Sequence, residues 1–322
     1  MFSKTKMENQ RSHVLMPVLL SACAIPISML FWFVNVAYST FHPDSDNHFE
    51  EYLVISPWRW LAVVLVPLFV AFWGLKKKSI DITGAILGFF MGFILTLTSY
   101  THLACLFAFF ISSSKATKFR SHKKRKLEAD FKEGGQRNWI QVLCNGGMAT
   151  QLALIYLLDV GCGERPIDFD KNYRSSWLSI GILGAFACCN GDTWASEIGT
   201  VVGTSDPFLI TSRKRVPRVL VYVYRNKWWC LLDTAVLQVA APQWPVILIG
   251  GIGGLVGSII DSILGATLQY SGINENRVVV ERPGKGVKYI CGRQILDNHS
   301  VNLLSSVAVA LTLPRIANLV WP

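Results

Sequence analysis

Val246-Ile247-Leu248-Ile249-Gly250-Gly251-Ile252-Gly253-Gly254-Leu255-Val256-Gly257-Ser258-Ile259-Ile260-Asp261-Ser262-Ile263-Leu264 is an apolar run with one charged side chain, Asp261. A hydrocarbon core of about 30 Å is crossed by roughly 20 apolar residues rising about 1.5 Å each, so the run has the length of a membrane helix. Its glycines recur at the spacing that lets membrane helices approach closely. The whole 322-residue chain shares this character: 51% hydrophobic, 16% charged, mean hydropathy +0.36 and a formal net charge of +10. A soluble domain carries about a quarter charged residues, so the bilayer is the expected solvent. Collagen-like, disordered and disulfide-stapled classes are excluded. The cysteines are scattered through apolar stretches without C-x-x-C spacing, which points to buried thiols rather than a zinc site.

Outward from this run, the chain divides into apolar segments separated by short charged ones. Val14 to Tyr38 is too long for the apolar region of a cleaved signal and reads as a retained first span. Lys4, Lys6 and Arg11 precede it, whereas Ser39 to Pro57 holds Asp44, Asp46, Glu50 and Glu51 and no lysine or arginine. The positive-inside bias places the N-terminus in the cytoplasm and this loop on the far side. Trp58 to Leu75 closes on Lys76, Lys77 and Lys78 and returns the chain. Ile82 to Ser112 is too long for one untilted span and is broken near Ser99, Tyr100, Thr101 and His102, so a hairpin is expected. Trp139 to Val160 crosses outward. Trp177 to Cys189 crosses back and leaves Asn190 to Glu197 on the cytoplasmic face. Trp228 to Ala241 is short for a span and contains Asp233, and a final apolar helix, Val301 to Trp321, is interrupted by Pro314 and Arg315. The expected fold is an all-α, polytopic integral membrane helical bundle of about seven to nine helices with short loops. It forms one domain over residues 1–322, with a basic cytoplasmic loop at 113–138.

A carboxylate at the bilayer centre costs about 2.5 to 3.5 kcal/mol on insertion scales, so Asp261 is expected to face protein or water. Ser258, Asp261, Ser262 and Gly265 share a helical face by their spacing. The stripe serves either as an interhelical hydrogen bond or as part of a site. Asn190-Gly191-Asp192-Thr193-Trp194-Ala195-Ser196-Glu197 gathers two carboxylates with hydroxyl and amide oxygens. Such a set suits Mg²⁺, which takes one or two protein carboxylates together with substrate phosphates. Alternatively Asp192 caps a following helix. The lysines near Arg125 attract anionic lipid. A sharper reading adds Arg137 as a planar fork for phosphate and Asn145-Gly146-Gly147 as an exposed turn whose amides cradle an oxyanion. No stacking module accompanies the basic residues, and nucleic acid is not an expected partner.

Several strings resemble the transmembrane protein 19 family, which is related to plant phytyl-phosphate kinases. They are Ser113-Ser114-Lys115-Ala116-Thr117-Lys118, Gln136-Arg137-Asn138-Trp139-Ile140-Gln141-Val142, Asn145-Gly146-Gly147, Asp192-Thr193-Trp194-Ala195-Ser196-Glu197-Ile198-Gly199, Ala241-Pro242-Gln243-Trp244-Pro245, and Asp261-Ser262 with Gly265-Ala266-Thr267-Leu268-Gln269. The resemblance runs from about Met16 to Pro322. It implies a membrane kinase that transfers a phosphoryl group from a CTP-like nucleotide to a phytyl-like isoprenoid monophosphate, in an endomembrane. Under that implication Asp192, Glu197 and Asp261 are catalytic and hold Mg²⁺, and Lys115, Lys118, Arg137, Asn145 and Ser262 meet the substrates. Membrane lipid, the isoprenoid phosphate and the nucleotide are the expected partners. The competing expectation is a multi-pass transporter or lipid-handling protein in which the same acids hold an ion or head group without chemistry.

The resemblance breaks over 218–238. The family continues through a Gly-Thr-Asn-Gly-Gly-Val turn, whereas this chain reads Arg225-Asn226-Lys227-Trp228-Trp229-Cys230. Asn-Lys-Trp-Trp-Cys can be encoded by AAC AAA TGG TGG TGT, whose neighbouring frame gives Thr-Asn-Gly-Gly-Val. A splice or frame alteration is therefore expected in this segment.

Overall fold

The computed structural model describes residues 23, 25–38, 40–41, 55–119, 135–202, 241–275 and 279–322, with the side chains of 199–202 left aside. The expected alteration at 218–238, the basic cluster at 120–134 and the candidate span Trp228 to Ala241 lie outside them, apart from Ala241 itself.

Eight helices are found among the described residues: α1 (Ile25–Tyr38), α2 (Pro57–Lys76), α3 (Ile82–Thr98), α4 (Tyr100–Lys118), α5 (Trp139–Asp159), α6 (Tyr173–Val202), α7 (Pro245–Leu268) and α8 (Asn298–Val320). Four of them, α2, α5, α7 and α8, are long and apolar enough to cross a membrane by length and composition. The helical membrane bundle expected from the sequence is the architecture observed. One addition is a small antiparallel sheet between α7 and α8, ordered β2-β1-β3, from β1 (Ser271–Ile273), β2 (Val279–Val280) and β3 (Lys288–Cys291). Strands this short leave no readable alternation in sequence.

Local chemistry sets the boundaries. Ser56 caps α2, with Pro57 in the first turn, where a missing N–H costs nothing. Asp81 accepts the Gly84 amide at 2.8 Å and starts α3. Asn138 and Gln141 form a reciprocal capping box on α5. The expected break at Ser99 is a single extended residue with φ −162°. Its hydroxyl accepts the Thr101 amide and so opens α4 directly where α3 ends. Helix α4 then runs through Lys118, so Ser113 to Lys118 are helical and the basic loop begins at Phe119.

Pro314 does not interrupt α8. Proline at position i frees the carbonyl four residues earlier, here that of Ala310. That carbonyl lies beside Gly181 of α6, whose lack of a side chain admits it.

Glycines also set the helix order. Gly250, Gly254 and Gly257 of α7 meet Leu183, Ala187 and Cys188 of α6 in rising register, so α6 and α7 run parallel. Gly184 and Gly253 both admit Leu313 of α8, while Ser305 lies beside Asp261, so α8 runs antiparallel to both. Leu95, Phe109, Leu152, Tyr156, Ile182 and Phe186 fill the centre from α3, α4, α5 and α6.

The two ends of the bundle differ in charge. One gathers Lys76, Lys77, Lys78, Lys118 and Arg137. At the other, Glu164 accepts from Tyr100 N at 2.7 Å, Ser99 Oγ at 2.6 Å, Thr101 Oγ1 at 3.2 Å and Arg59 Nη2 at 3.2 Å. Arg59 also donates to the Leu97 and Thr98 carbonyls and lies 4.5 Å over the Tyr100 ring.

Candidate functional site

Helix α6 continues without interruption through Asn190 to Glu197. Asp192 is therefore an interior helical residue, and the reading in which it caps a following helix is overturned. The Thr193 and Ser196 hydroxyls donate back to the Cys189 and Asp192 carbonyls, at 2.8 and 3.0 Å. Such back-bonding satisfies the hydroxyls within the helix.

The α6–α7 seam is made of small residues at this level. A Cβ at Gly191 would run into the Gly254 carbonyl, and one at Gly257 would fall 2.5 Å from Cys188 Sγ. The backbones therefore touch, and parallel helices in contact bring Asp192 and Asp261 to the same level. Their carboxyls lie within hydrogen-bonding reach of each other. Ser305 Oγ of α8 donates to Asp261 Oδ2 at 3.1 Å. With its amide turned to suit its neighbours, Asn302 donates to the same oxygen at 3.2 Å and to the Asn298 carbonyl at 3.0 Å. Asn302 also stands 3.3 Å from Asn145 Oδ1 of α5. On the far side, Ser112 Oγ of α4 donates to Asn190 Oδ1 at 2.7 Å. Five helices thus contribute polar side chains at one level of the bundle.

Arg137 precedes α5 and donates to Ser114 Oγ at 3.2 Å and Thr117 Oγ1 at 3.4 Å. Burial lowers its pKa from the ordinary value, and the Glu197 carboxylate opposes that shift. Lys118 Nζ is engaged by the Lys77 carbonyl at 2.6 Å and Ser79 Oγ at 3.0 Å, where it ties α4 to the α2–α3 turn. Lys115 is exposed at the same end. Ser262 is half-buried beside Asp261.

Asn145, Gly146 and Gly147 do not form an exposed turn. They lie inside α5, where their amides belong to the helix, and Gly146 and Gly147 are buried. Their smallness serves packing, since a Cβ on Gly146 would sit 3.0 Å from the Met91 sulfur of α3. Only the Asn145 side chain reaches the site. Asn302 and Ser305 were missed in sequence. The polar spacing that singled out Asp261 recurs as Asn302, Ser305 and Ser306 and would have found them.

Among the described residues no three His, Cys, Asp or Glu side chains converge on one point. Asp192 and Asp261 are an adjacent pair, and Glu197 does not complete a triad with them. Two carboxyls this close hold either a shared proton or a cation between them. One turn before Asp261, Ser258 Oγ is buried and has no hydrogen-bond partner among the described residues. A buried orphan hydroxyl beside an all-oxygen set fits a hard cation such as Mg²⁺, whose remaining ligands are ordinarily water and phosphate.

A cavity lies between α2, α3, α4 and α5, with Arg137, Gln141 and Asn145 among its lining residues and the rest of its wall apolar.

The sequence profile of the integral membrane protein family DUF92 matches residues 65–218 and 220–310. The chain belongs to that family. Every residue of the site, from Ser112 to Ser305, falls within the matched stretches. Protein PGR of Arabidopsis thaliana is 39% identical to this DUF92 chain over 266 residues, which cover 77% of it and 92% of the plant protein. An uncharacterized membrane protein of Methanocaldococcus jannaschii is 24% identical over 211 residues, covering 63% and 81% of the two chains. No solved structure matches the DUF92 chain.

Proposed function

We propose that this DUF92 protein is a membrane-embedded kinase that transfers the terminal phosphoryl group of a CTP-like nucleotide to a phytyl-like isoprenoid monophosphate. An oxygen of the acceptor phosphate attacks the γ-phosphorus. A new P–O–P bond forms, the β–γ bridging bond breaks, and a lipid diphosphate and a nucleoside diphosphate leave. The lysine-rich end is assigned to the cytoplasmic side, together with the N-terminus, in an endomembrane.

The Asp192–Asp261 pair carries this reading. Phosphoryl transfer asks little covalent help from protein; it needs positioning and neutralisation of charge on the phosphates. Asp192 and Asp261, with the Asn302 and Ser305 side chains that orient Asp261, would hold Mg²⁺. When bound, that ion would neutralise phosphate charge. Arg137 offers a planar cation for the acceptor head group, and Asn145, which lines the same cavity, stands 3.3 Å from Asn302, the neighbour of Asp261. Ser262, Lys115 and Glu197 are assigned supporting roles toward the substrates, and Lys118 ties α4 to the α2–α3 turn.

A second reading, a transporter or lipid-handling protein, is favoured by the lack of a third acid at the pair among the described residues. Purified protein given radiolabelled CTP or ATP and phytyl or geranylgeranyl monophosphate separates the two. A labelled lipid diphosphate is the result expected. Binding of both substrates without that product overturns the kinase.

A further inference from the structure

We propose that the cavity between α2, α3, α4 and α5 holds one hydrocarbon chain of a lipid phosphate, with the phosphate at Arg137 and with Gly88 gauging how far the chain enters. The proposal rests on the function above only in treating that lipid as the acceptor of the reaction.

Helix α3 presents Gly84, Gly88 and Gly92 at four-residue spacing along one face. Packing explains two of them. A Cβ at Gly84 would meet the Arg137 carbonyl at 2.5 Å, and one at Gly92 would meet the Pro67 ring at 2.9 Å. A Cβ at Gly88 would meet nothing within 4 Å, although Gly88 lines the cavity. Glycine inside a helix costs about 0.8–1.0 kcal/mol relative to alanine, and no contact within the protein accounts for that cost at Gly88.

Chemistry selects that occupant. Phe107, Phe110, Val70 and Ala71 give the cavity an apolar wall, and such cavities stay dry and take apolar guests. Its volume of about 70 Å³ has room for roughly five to seven water-sized groups, which suits a stretch of one slender chain and not two chains side by side. From Gly84 to Gly92 it follows α3 for about 12 Å, most of one leaflet's share of a core about 30 Å thick. The polar lining is cationic or neutral, with Arg137, Gln141 and Asn145, so the head that accompanies the chain is an anion. Through Asn145 and Asn302, that head is two side chains away from Asp261.

The test is photolabelling of the purified full-length protein, without nucleotide, by a twenty-carbon isoprenoid monophosphate bearing a diazirine near the tail end. Labelled peptides are expected from α3 and α4. Gly88→Phe is expected to lower labelling at least tenfold and Gly88→Ala to preserve it, while a five-carbon monophosphate, too short to pass Gly88, labels all three proteins alike. Gly88→Leu blocks the same space with less bulk should Gly88→Phe not fold. Equal labelling of Gly88→Leu and wild type overturns the proposal. So does labelling by the neutral alcohol as strong as by the monophosphate, or full competition by two-chain phosphatidic acid. Labelling as expected with no diphosphate formed removes the kinase and keeps the tail site. Diphosphate formation from the twenty-carbon substrate that is indifferent to Gly88→Leu keeps the kinase and removes the tail site.

Discussion

Two of the places where charged side chains enter this bundle, among the described residues, are built on opposite principles. Around Glu164 every charge is matched: the carboxylate receives two hydroxyls, a backbone amide and Arg59, and Arg59 closes the carbonyl end of α3. This is a clamp that holds the α3–α4 hairpin to the loop after α5. Around Asp192 and Asp261 two carboxyls face each other with no basic side chain hydrogen-bonded to either among the described residues and only neutral partners on α8, so they need a shared proton or a cation between them. A fold that needed only cohesion would not place two acids in contact, because like charges there oppose folding. Matched charge marks the clamp, and the paired acids mark the candidate site.

The sharpest way to break this contrast is to neutralise each centre in turn. Asp192→Asn and Asp261→Asn are expected to lower diphosphate formation by at least about 100-fold, beyond the 10- to 100-fold typical of groups that merely support a metal ligand. Their melting temperatures are expected to stay level or rise, since a like-charge contact is relieved; a clear fall in either would make the pair a structural feature. Glu164→Gln is the mirror experiment. It keeps the shape and removes the charge from a partly exposed centre, so a loss of about 1.5–3 kcal/mol is expected in denaturant titration, discounted toward the lower figure for solvent screening. Turnover per folded molecule is expected to stay unchanged, and a large specific loss would erase the distinction between the ends.

Smaller effects sharpen it further. Asp297 caps α8, the helix that carries Asn302 and Ser305, by accepting the Ser300 amide at 2.8 Å. Asp297→Ala is expected to cost about 1 kcal/mol and to weaken substrate binding severalfold through its effect on the start of α8. Hydrogen bonds from Ser300 hold the Asp297 carboxyl below its ordinary value of 3.8. A lowered folded-state pKa means that this stabilisation is complete above about pH 4 and is lost as pH falls through the folded value. The melting temperature of the wild type should therefore drop below that window, and the drop should be smaller in Asp297→Ala. The smallest effect is expected from Lys118→Ala, which removes the tie to Lys77 and Ser79 at an exposed rim and should change stability by less than about 1 kcal/mol, read by the same titration.

The difference between the levels also explains what sequence could reveal. Asp261 stood out because a charge inside an apolar run is expensive, and the hairpin break stood out because four polar residues interrupt another. Glu164 could not stand out, since a glutamate in a loop is ordinary until its partners are known. Asn302 and Ser305 were passed over because neutral polar residues in a membrane helix are tolerated more easily than acids. Asn190 to Glu197 reads as the end of a span because polar residues usually mark a boundary; α6 runs on, with Thr193 and Ser196 satisfied against its own carbonyls. The spacing of Gly84, Gly88 and Gly92 was visible, but only the contacts of each glycine separate packing from vacancy.

The α6–α7 seam has a mechanical corollary. Two helices that touch through glycine interlock shallowly, so the seam opposes axial sliding only where Leu183, Ala187 and Cys188 sit against the α7 glycines. Slippage by one turn, about 5.4 Å, would carry one aspartate away from the other. Deeper teeth belong to α8: Leu313 seated against Gly184 and Gly253, and Ser305 hooked onto Asp261. The last helix thus works as a detent, and alignment of the two acids depends on a strand of chain that contributes neither of them.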